Sequence, residues 1–228
     1  MYWEYTYILF IIGVVVSGIA SWNVNRTFRN FSKFPNGKGL VAEEVAALIM
    51  QKAGIFDVRI ERVKGSLTDH YSAKDNVLRL SDSVFGSTSV AAIGVAAHES
   101  GHAIQHKVGY LPLKLRSASV PVANFGTMVS WPIILVGLIF GWMGIAQIGV
   151  FLFFFVVLFQ IITLPVEFNA SSRALQVLGE SKILIDGELE GAAKVLRAAA
   201  LTYVAALFTS ILQLLRLILI TKGSSRMR

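Results

Sequence analysis

Apolar positions in this chain fall into long uncharged runs and shorter periodic ones. Residues 5–25 are 21 consecutive uncharged positions, centred on Ile8-Leu-Phe-Ile-Ile-Gly-Val-Val-Val-Ser-Gly-Ile-Ala20, and 50 more lie between Arg116 and Glu167. A membrane crossing takes about 20 apolar residues. The first run therefore predicts one span, near 5–25, and the second predicts two, near 120–140 and 145–164, turning at Gly141-Trp-Met-Gly144. Residues 198–220 predict a fourth, since their one charge, Arg216, lies about a turn from the end, where a long side chain reaches the headgroups. Met1-Tyr-Trp-Glu4 lacks the basic start of a cleaved signal, so the first run reads as a retained anchor.

The remaining segments carry shorter periods. Residues 26–39 set Phe28, Phe31 and Phe34 among Arg29 and Lys33, the pattern either of an interfacial segment along the headgroups or of a polar linker. Residues 40–54 have helical period and stop at Gly54. Residues 57–63 alternate as a half-buried strand, and 69–71 and 76–81 form a second extended pair around Ala73-Lys-Asp75. Beyond the spans, 167–178 is helical, 179–187 is a break and 188–197 resumes as a polar helix. The expected fold is a mainly α, polytopic membrane protein of about four transmembrane helices, read as one domain over 1–228. Its parts 26–116 and 166–197 form a small cytoplasmic α+β portion around a zincin-like metal helix.

Composition supports this and narrows it. The chain of 228 residues is 54% hydrophobic and 15% charged, with mean hydropathy +0.63, which is too apolar for a soluble domain. It has no cysteine, which excludes disulfides and thiolate ligands. The net charge of +7 is spread over short segments flanking apolar runs, a pattern that reads as topology and anionic lipid rather than nucleic-acid binding. Arg26, Arg29, Lys33, Lys38, Lys107, Lys114, Arg116, Arg173, Lys182, Lys194 and Arg197 share one side, which the positive-inside rule makes cytoplasmic in a plasma membrane. Lys222, Arg226 and Arg228 run against that count, ending outside if the last segment crosses.

The chemistry is concentrated in Gly94-Val-Ala-Ala-His98-Glu99-Ser100-Gly101-His102-Ala103. On a helix, residues four apart sit about 40° apart and about 6 Å up the axis, so His98 and His102 converge on one metal ion. Glu99 lies on the shoulder of that face, placed to take a proton from an attacking water. Ser87, Thr88 or Ser89 is positioned to cap this helix, and Gly109 with Pro112 to end it. A surface helix carrying the same letters by chance would show more charge than Val95, Ala96, Ala97 and Ala103 do. Two crossings after the motif return the chain to the same side, just before Glu167. That residue reads either as a third metal ligand or as a helix-starting carboxylate at the interface. His106 lies one turn beyond His102 as a competing ligand. His70 has a possible role at the site, and the strand 76–81 is the expected free edge for a substrate backbone.

Four segments carry a family resemblance: Gly65-Ser-Leu-Thr-Asp-His-Tyr71, Ala96-Ala-His-Glu-Ser-Gly-His-Ala-Ile-Gln105, Pro112-Leu-Lys-Leu-Arg-Ser117 and Leu164-Pro-Val-Glu-Phe-Asn-Ala-Ser171. With Leu196-Arg-Ala-Ala-Ala-Leu-Thr-Tyr-Val204, they make the chain resemble the YugP-like family of bacterial membrane neutral zinc metallopeptidases over nearly its whole length. The resemblance implies a gluzincin site like that of HtpX-type and CAAX-prenyl membrane proteases. One zinc ion per chain would be held by His98, His102 and Glu167, with Glu99 as the base. In those proteases the third ligand is the Glu of a Glu-Phe-x-Ala-Asp motif, and this chain departs from it at the Asp position, Ser171, which leaves open what supports a ligating histidine. Arg173, His70 and Tyr71 are candidate transition-state or substrate contacts. The implied substrates are membrane-associated proteins or peptides. The competing class is a non-catalytic membrane scaffold with a structural zinc, which would have no need of Glu99.

Overall fold

The computed structural model describes residues 2–225, so the basic tail positions Arg226 and Arg228, and Met1, lie outside the described residues. In chain order the elements are α1 (Tyr2–Phe31), α2 (Ala42–Lys52), β1 (Arg59–Val63), β2 (His70–Ser72), β3 (Val77–Ser81), α3 (Val90–Lys107), α4 (Leu111–Ile139), α5 (Met143–Glu180) and α6 (Asp186–Ser225). Four helices, α1, α4, α5 and α6, are long and apolar enough to cross a membrane. The protein is thus a mainly α, polytopic membrane protein with one small sheet. Two compact units divide the chain: residues up to 21 with 115–164 and from 201 onward, and residues 22–114 with 165–200.

In the first unit, close helix contacts replace hydrophobic driving force, because lipid is as apolar as the side chains. The chain reverses between α4 and α5 at Gly141, whose φ of +70° suits glycine. Above the turn, Gly137 lies against the backbone of Ala146. A Cβ at Gly149 would stand 2.8 Å from the Ser130 carbonyl oxygen. The helices α1 and α6 are joined by hydrogen bonds at one level: Thr209 Oγ1 donates to the Gly13 carbonyl at 3.0 Å and lies 2.9 Å from Ser17 Oγ. Arg216 sits over the rings of Tyr7 and Phe10, at 5.0 and 5.5 Å, so two aromatic faces of α1 receive its charge.

The second unit is built around α3. Ser89 is the cap, its hydroxyl accepting from the Ala92 N–H at 3.2 Å. The helix is apolar and small-sided on most faces, the signature of a buried helix. Ala91, Ala92, Ile93, Ala96 and Ala97 are all fully buried. They pack in one core with Val45 and Ile49 of α2, Leu78 and Leu80 of β3, Leu178 of α5 and Val195 of α6. Gly94 brings α6 close, since a Cβ there would lie 3.3 Å from Ala192 Cβ.

Several boundaries differ from the pattern-based reading, for one reason. Hydropathy changes where the chain leaves lipid, but the i→i−4 ladder continues wherever φ and ψ stay helical. So α1 extends to Phe31, and α4 starts at Leu111, with Pro112 in its first turn, where a missing N–H costs nothing. In α5 the helix runs unbroken through Pro165, and in α6 the polar helix and the apolar run are one element. Within the segment 26–39, the helix continues to Phe31 and two of the aromatics turn inward: Phe28 is 6% exposed and part of the core, with Phe31 packed against it, so this stretch is more than a plain linker.

The expected free edge is corrected as well. The sheet order is β1-β3-β2, with β1 parallel and β2 antiparallel to β3. The 76–81 strand is therefore central, hydrogen-bonded on both sides, and cannot receive a further strand. Its sequence explains this, because Val77, Leu78 and Leu80 are fully buried while the charged Arg59, Glu61 and Arg62 mark β1 as an edge. Phe28 and Phe34 separate core from surface: Phe28→Ala is expected to cost about 3–5 kcal/mol, and Phe34→Ala, at a position 58% exposed, about 0.5 kcal/mol or less. Denaturant unfolding of both variants in detergent checks this, and equal losses would contradict the core assignment.

Candidate metal centre

The site forms where α3 and α5 come close. Gly101 makes that possible: a Cβ there would lie 2.6 Å from the carbonyl oxygen of Ala170 and 3.2 Å from its Cα. On α3, His98 lies three residues before Gly101 and His102 one after it, and on α5, Glu167 lies three residues before Ala170 and Ser171 one after it.

The two imidazoles meet edge to face, with centroids 4.8 Å apart at 84°. Their Nε2 atoms lie 3.3 Å (His98) and 3.6 Å (His102) from the same oxygen, Glu167 Oε2. Glu167 is 2% exposed. One ligand atom from each residue falls within 4.8 Å of the others, the metal-ligand cluster found among the described residues. The opposite ring nitrogens are engaged: His98 Nδ1 is 3.1 Å from Ser171 Oγ, and His102 Nδ1 is 3.0 Å from Gln105 Oε1. Both Nε2 atoms are thereby left facing the carboxylate. A buried carboxylate facing two imidazoles demands a positive charge among them. The protein alone shows the same demand at His102. Burial disfavours its charged form, but the Glu167 hydrogen bond and the charges of Glu99 and Glu167 outweigh that and raise its pKa above the ordinary histidine value. Two imidazoles and a carboxylate, with no thiolate, are a donor set suited to zinc.

Glu99 is 8% exposed. Its Oε2 accepts a hydrogen bond from the backbone N–H of Tyr71 at 3.0 Å, so that N–H of β2 points away from β3. Asp69 steadies the same strand, accepting from the N–H and hydroxyl of Ser81 at 2.6 and 2.9 Å. Burial pushes the Asp69 carboxyl up despite these bonds, with the Glu99 charge adding to the rise. The Tyr71 hydroxyl is 3.0 Å from His106 Nδ1, and burial, with the charge of Asp57, raises its pKa and keeps it a phenol. Tyr71 and His106 line an open cleft of about 340 Å³, together with Ile55, Val58 and Ala103.

The other candidates are placed apart from the ring nitrogens. His70 is exposed, with Nδ1 2.9 Å from the Thr68 carbonyl and Nε2 3.4 Å from Arg79. Arg173 Nε donates to Asn169 Oδ1 at 2.8 Å, and its guanidinium lies 6.0 Å from the Tyr110 ring centroid. Asn169 in turn meets Gln105, which is fully buried. Sequence reasoning missed Gln105, although a glutamine three residues past His102 in an otherwise apolar helix was a signal. Ser171 fills the place of the expected aspartate by contacting His98 directly.

A cluster of this kind, on a helix of a polytopic membrane protein, defines a zincin-like class. The chain belongs to the family described as "Putative neutral zinc metallopeptidase", whose profile matches residues 6–222. A relative named "Putative membrane protease YugP", from Bacillus subtilis (strain 168), is 42% identical over 210 residues, covering 91% of this chain and 93% of the relative. No solved structure matches the chain.

The Gly101 contact yields a direct test. Gly101→Ala drives a methyl group into the α5 backbone and is expected to cost about 1–3 kcal/mol of stability, with a loss of metal affinity as Glu167 moves away. Unfolding midpoints and zinc titration of the purified variant check both, and wild-type values in each would contradict the close approach.

Proposed function

We propose that this chain is a zinc-dependent endopeptidase of the bacterial plasma membrane, hydrolysing peptide bonds of membrane or membrane-proximal proteins at a site facing the cytoplasm. The observation that carries this reading is Glu99 held beside a three-ligand cluster. A structural zinc site is normally closed by four protein ligands, whereas His70 and His106 are engaged elsewhere. Glu99 also has no part in ligation, so a scaffold would have no use for it.

One zinc ion held by His98, His102 and Glu167 would supply Lewis acidity toward a scissile carbonyl and toward water. The chain's own residues do the rest. The Tyr71 N–H fixes Glu99 Oε2, leaving Oε1 to take the attacking water's proton and pass it to the leaving amine. Because that N–H faces outward from the sheet, β2 is the edge along which a substrate backbone would align. The cleft beside Tyr71 and Ala103 would take one of its side chains. Tyr71 and His70 remain the candidates for substrate contact. Glu167 lies three residues past Leu164 along α5, about 4.5 Å of helix rise, which favours substrates cut close to the bilayer. The basic residues that share the site's side favour a cytoplasmic orientation.

Two experiments test this. Glu99→Gln should retain zinc and fold while losing about 10²–10⁴-fold in cleavage of a model membrane substrate, and undiminished cleavage would rule Glu99 out as the base. In the same preparations Glu167→Ala should lose zinc and His106→Ala should keep it. For topology, single cysteines at Ser32, Ser66, Gly144 and Ser181 in this cysteine-free chain are treated in intact cells with an impermeant maleimide. Only the Gly144 position should react. Labelling at both Ser66 and Ser181 would put the site outside, and labelling that differs between those two would separate Glu167 from the histidines.

A further inference from the structure

We infer that Arg173, acting through Asn169 and Gln105, keeps a proton on His102 Nδ1, so that Nε2 is the nitrogen presented to a metal. This rests on the reading of His102 as a metal ligand. A guanidinium only donates, so Arg173 fixes the sense of every hydrogen bond in the relay. Arg173 Nε lies 2.8 Å from a side-chain atom of Asn169, so that atom is the carbonyl oxygen Oδ1. The same oxygen lies 2.9 Å from the Gln105 side chain, which must present its NH₂ group there. The second hydrogen of that NH₂ goes to the Val166 carbonyl at 2.8 Å, an acceptor in every state. Both Gln105 amide donors are thereby used, and its oxygen is turned to His102 Nδ1, 3.0 Å away. An acceptor at that distance places the proton on Nδ1.

The two histidines are supported differently. Ser171, beside His98 Nδ1, can donate or accept, and so leaves the tautomer of that ring free. The relay behind His102 has one sense only. Gln105 is fully buried, so an amide turned the wrong way would set oxygen against oxygen at both Val166 and Asn169, without water to relieve it. Arg173 is thus a positioning residue that acts on His102 through Asn169 and Gln105.

The full chain has four histidines, which makes ring-nitrogen spectroscopy tractable. In metal-free, ¹⁵N-histidine-labelled protein in lipid nanodiscs, His102 Nδ1 should carry a proton, whether or not Nε2 also does. Gln105→Leu and Arg173→Met should shift that proton toward Nε2 or let it exchange between the two, and zinc affinity, measured by chelator competition, should fall about 10- to 100-fold. Should Gln105→Leu not fold, a second pair decides: Asn169→Asp keeps the acceptor oxygen and should preserve tautomer and affinity, whereas Asn169→Leu should lose both. An unprotonated Nδ1 at His102 in the wild-type protein would overturn the inference. So would an unchanged tautomer and affinity in Arg173→Met, or in Asn169→Leu. Failure of the wild-type chain to bind zinc would instead sink the ligand assignment itself, a distinguishable result.

Discussion

The contact between Gly101 and Ala170 is the constraint from which the rest of the metal unit follows. With a carbonyl oxygen 2.6 Å from where a Cβ would stand, α3 and α5 approach more closely than any other residue on α3 would allow. That distance brings a carboxylate from α5 within reach of two imidazoles on α3 and shuts water out of the junction. Burial then sharpens the electrostatics. Glu167, 2% exposed, faces groups that are neutral unless protonated or ligating, and a negative charge so placed calls for a cation. A metal ion meets that demand permanently and a proton on His102 meets it only in part, so the geometry and the charge balance point to the same occupant.

Support for the two histidines comes from opposite neighbours of the same junction. Ser171 and Asn169 flank Ala170, so the residues that back the ligands are set by the helix contact that sets Glu167. An aspartate at position 171 would hold a histidine by charge. Here the hydroxyl serves His98, and an uncharged amide pair ending on Arg173 serves His102. A buried carboxylate beside Glu167 would add repulsion to an already costly site, and a hydroxyl avoids it.

The sheet contributes by orientation rather than by catalytic side chains. Because β3 is buried and central, β2 is left with one unpaired side, and the N–H on that side is directed at Glu99. The strand with the open edge and the strand that fixes Glu99 are therefore the same three-residue element. Asp69, bonded twice to Ser81, keeps that strand in register with β3.

Much of this was readable from the sequence because it depends on short-range periodicity and on hydropathy. The four membrane-capable helices follow from uncharged runs, the buried metal helix from its small apolar residues, and the convergence of His98 with His102 from a spacing of four on a helix. Glu167 was reachable through its place after the paired spans together with the family pattern, while position alone left a second reading open. Tertiary structure decided what periodicity does not encode. Phe28 and Phe31 look interfacial among their basic neighbours, but their faces are covered by segments far away in sequence. The strand 76–81 looks like any small strand until its two partners are known, and strand order is a non-local property. Gly101 reads as a helix-weakening residue until Ala170 is placed against it. The sense of the Gln105 amide depends on an arginine 68 positions later in the chain. Composition and local pattern thus specified which groups could do the chemistry, while only the packing of distant helices settled which atoms face one another.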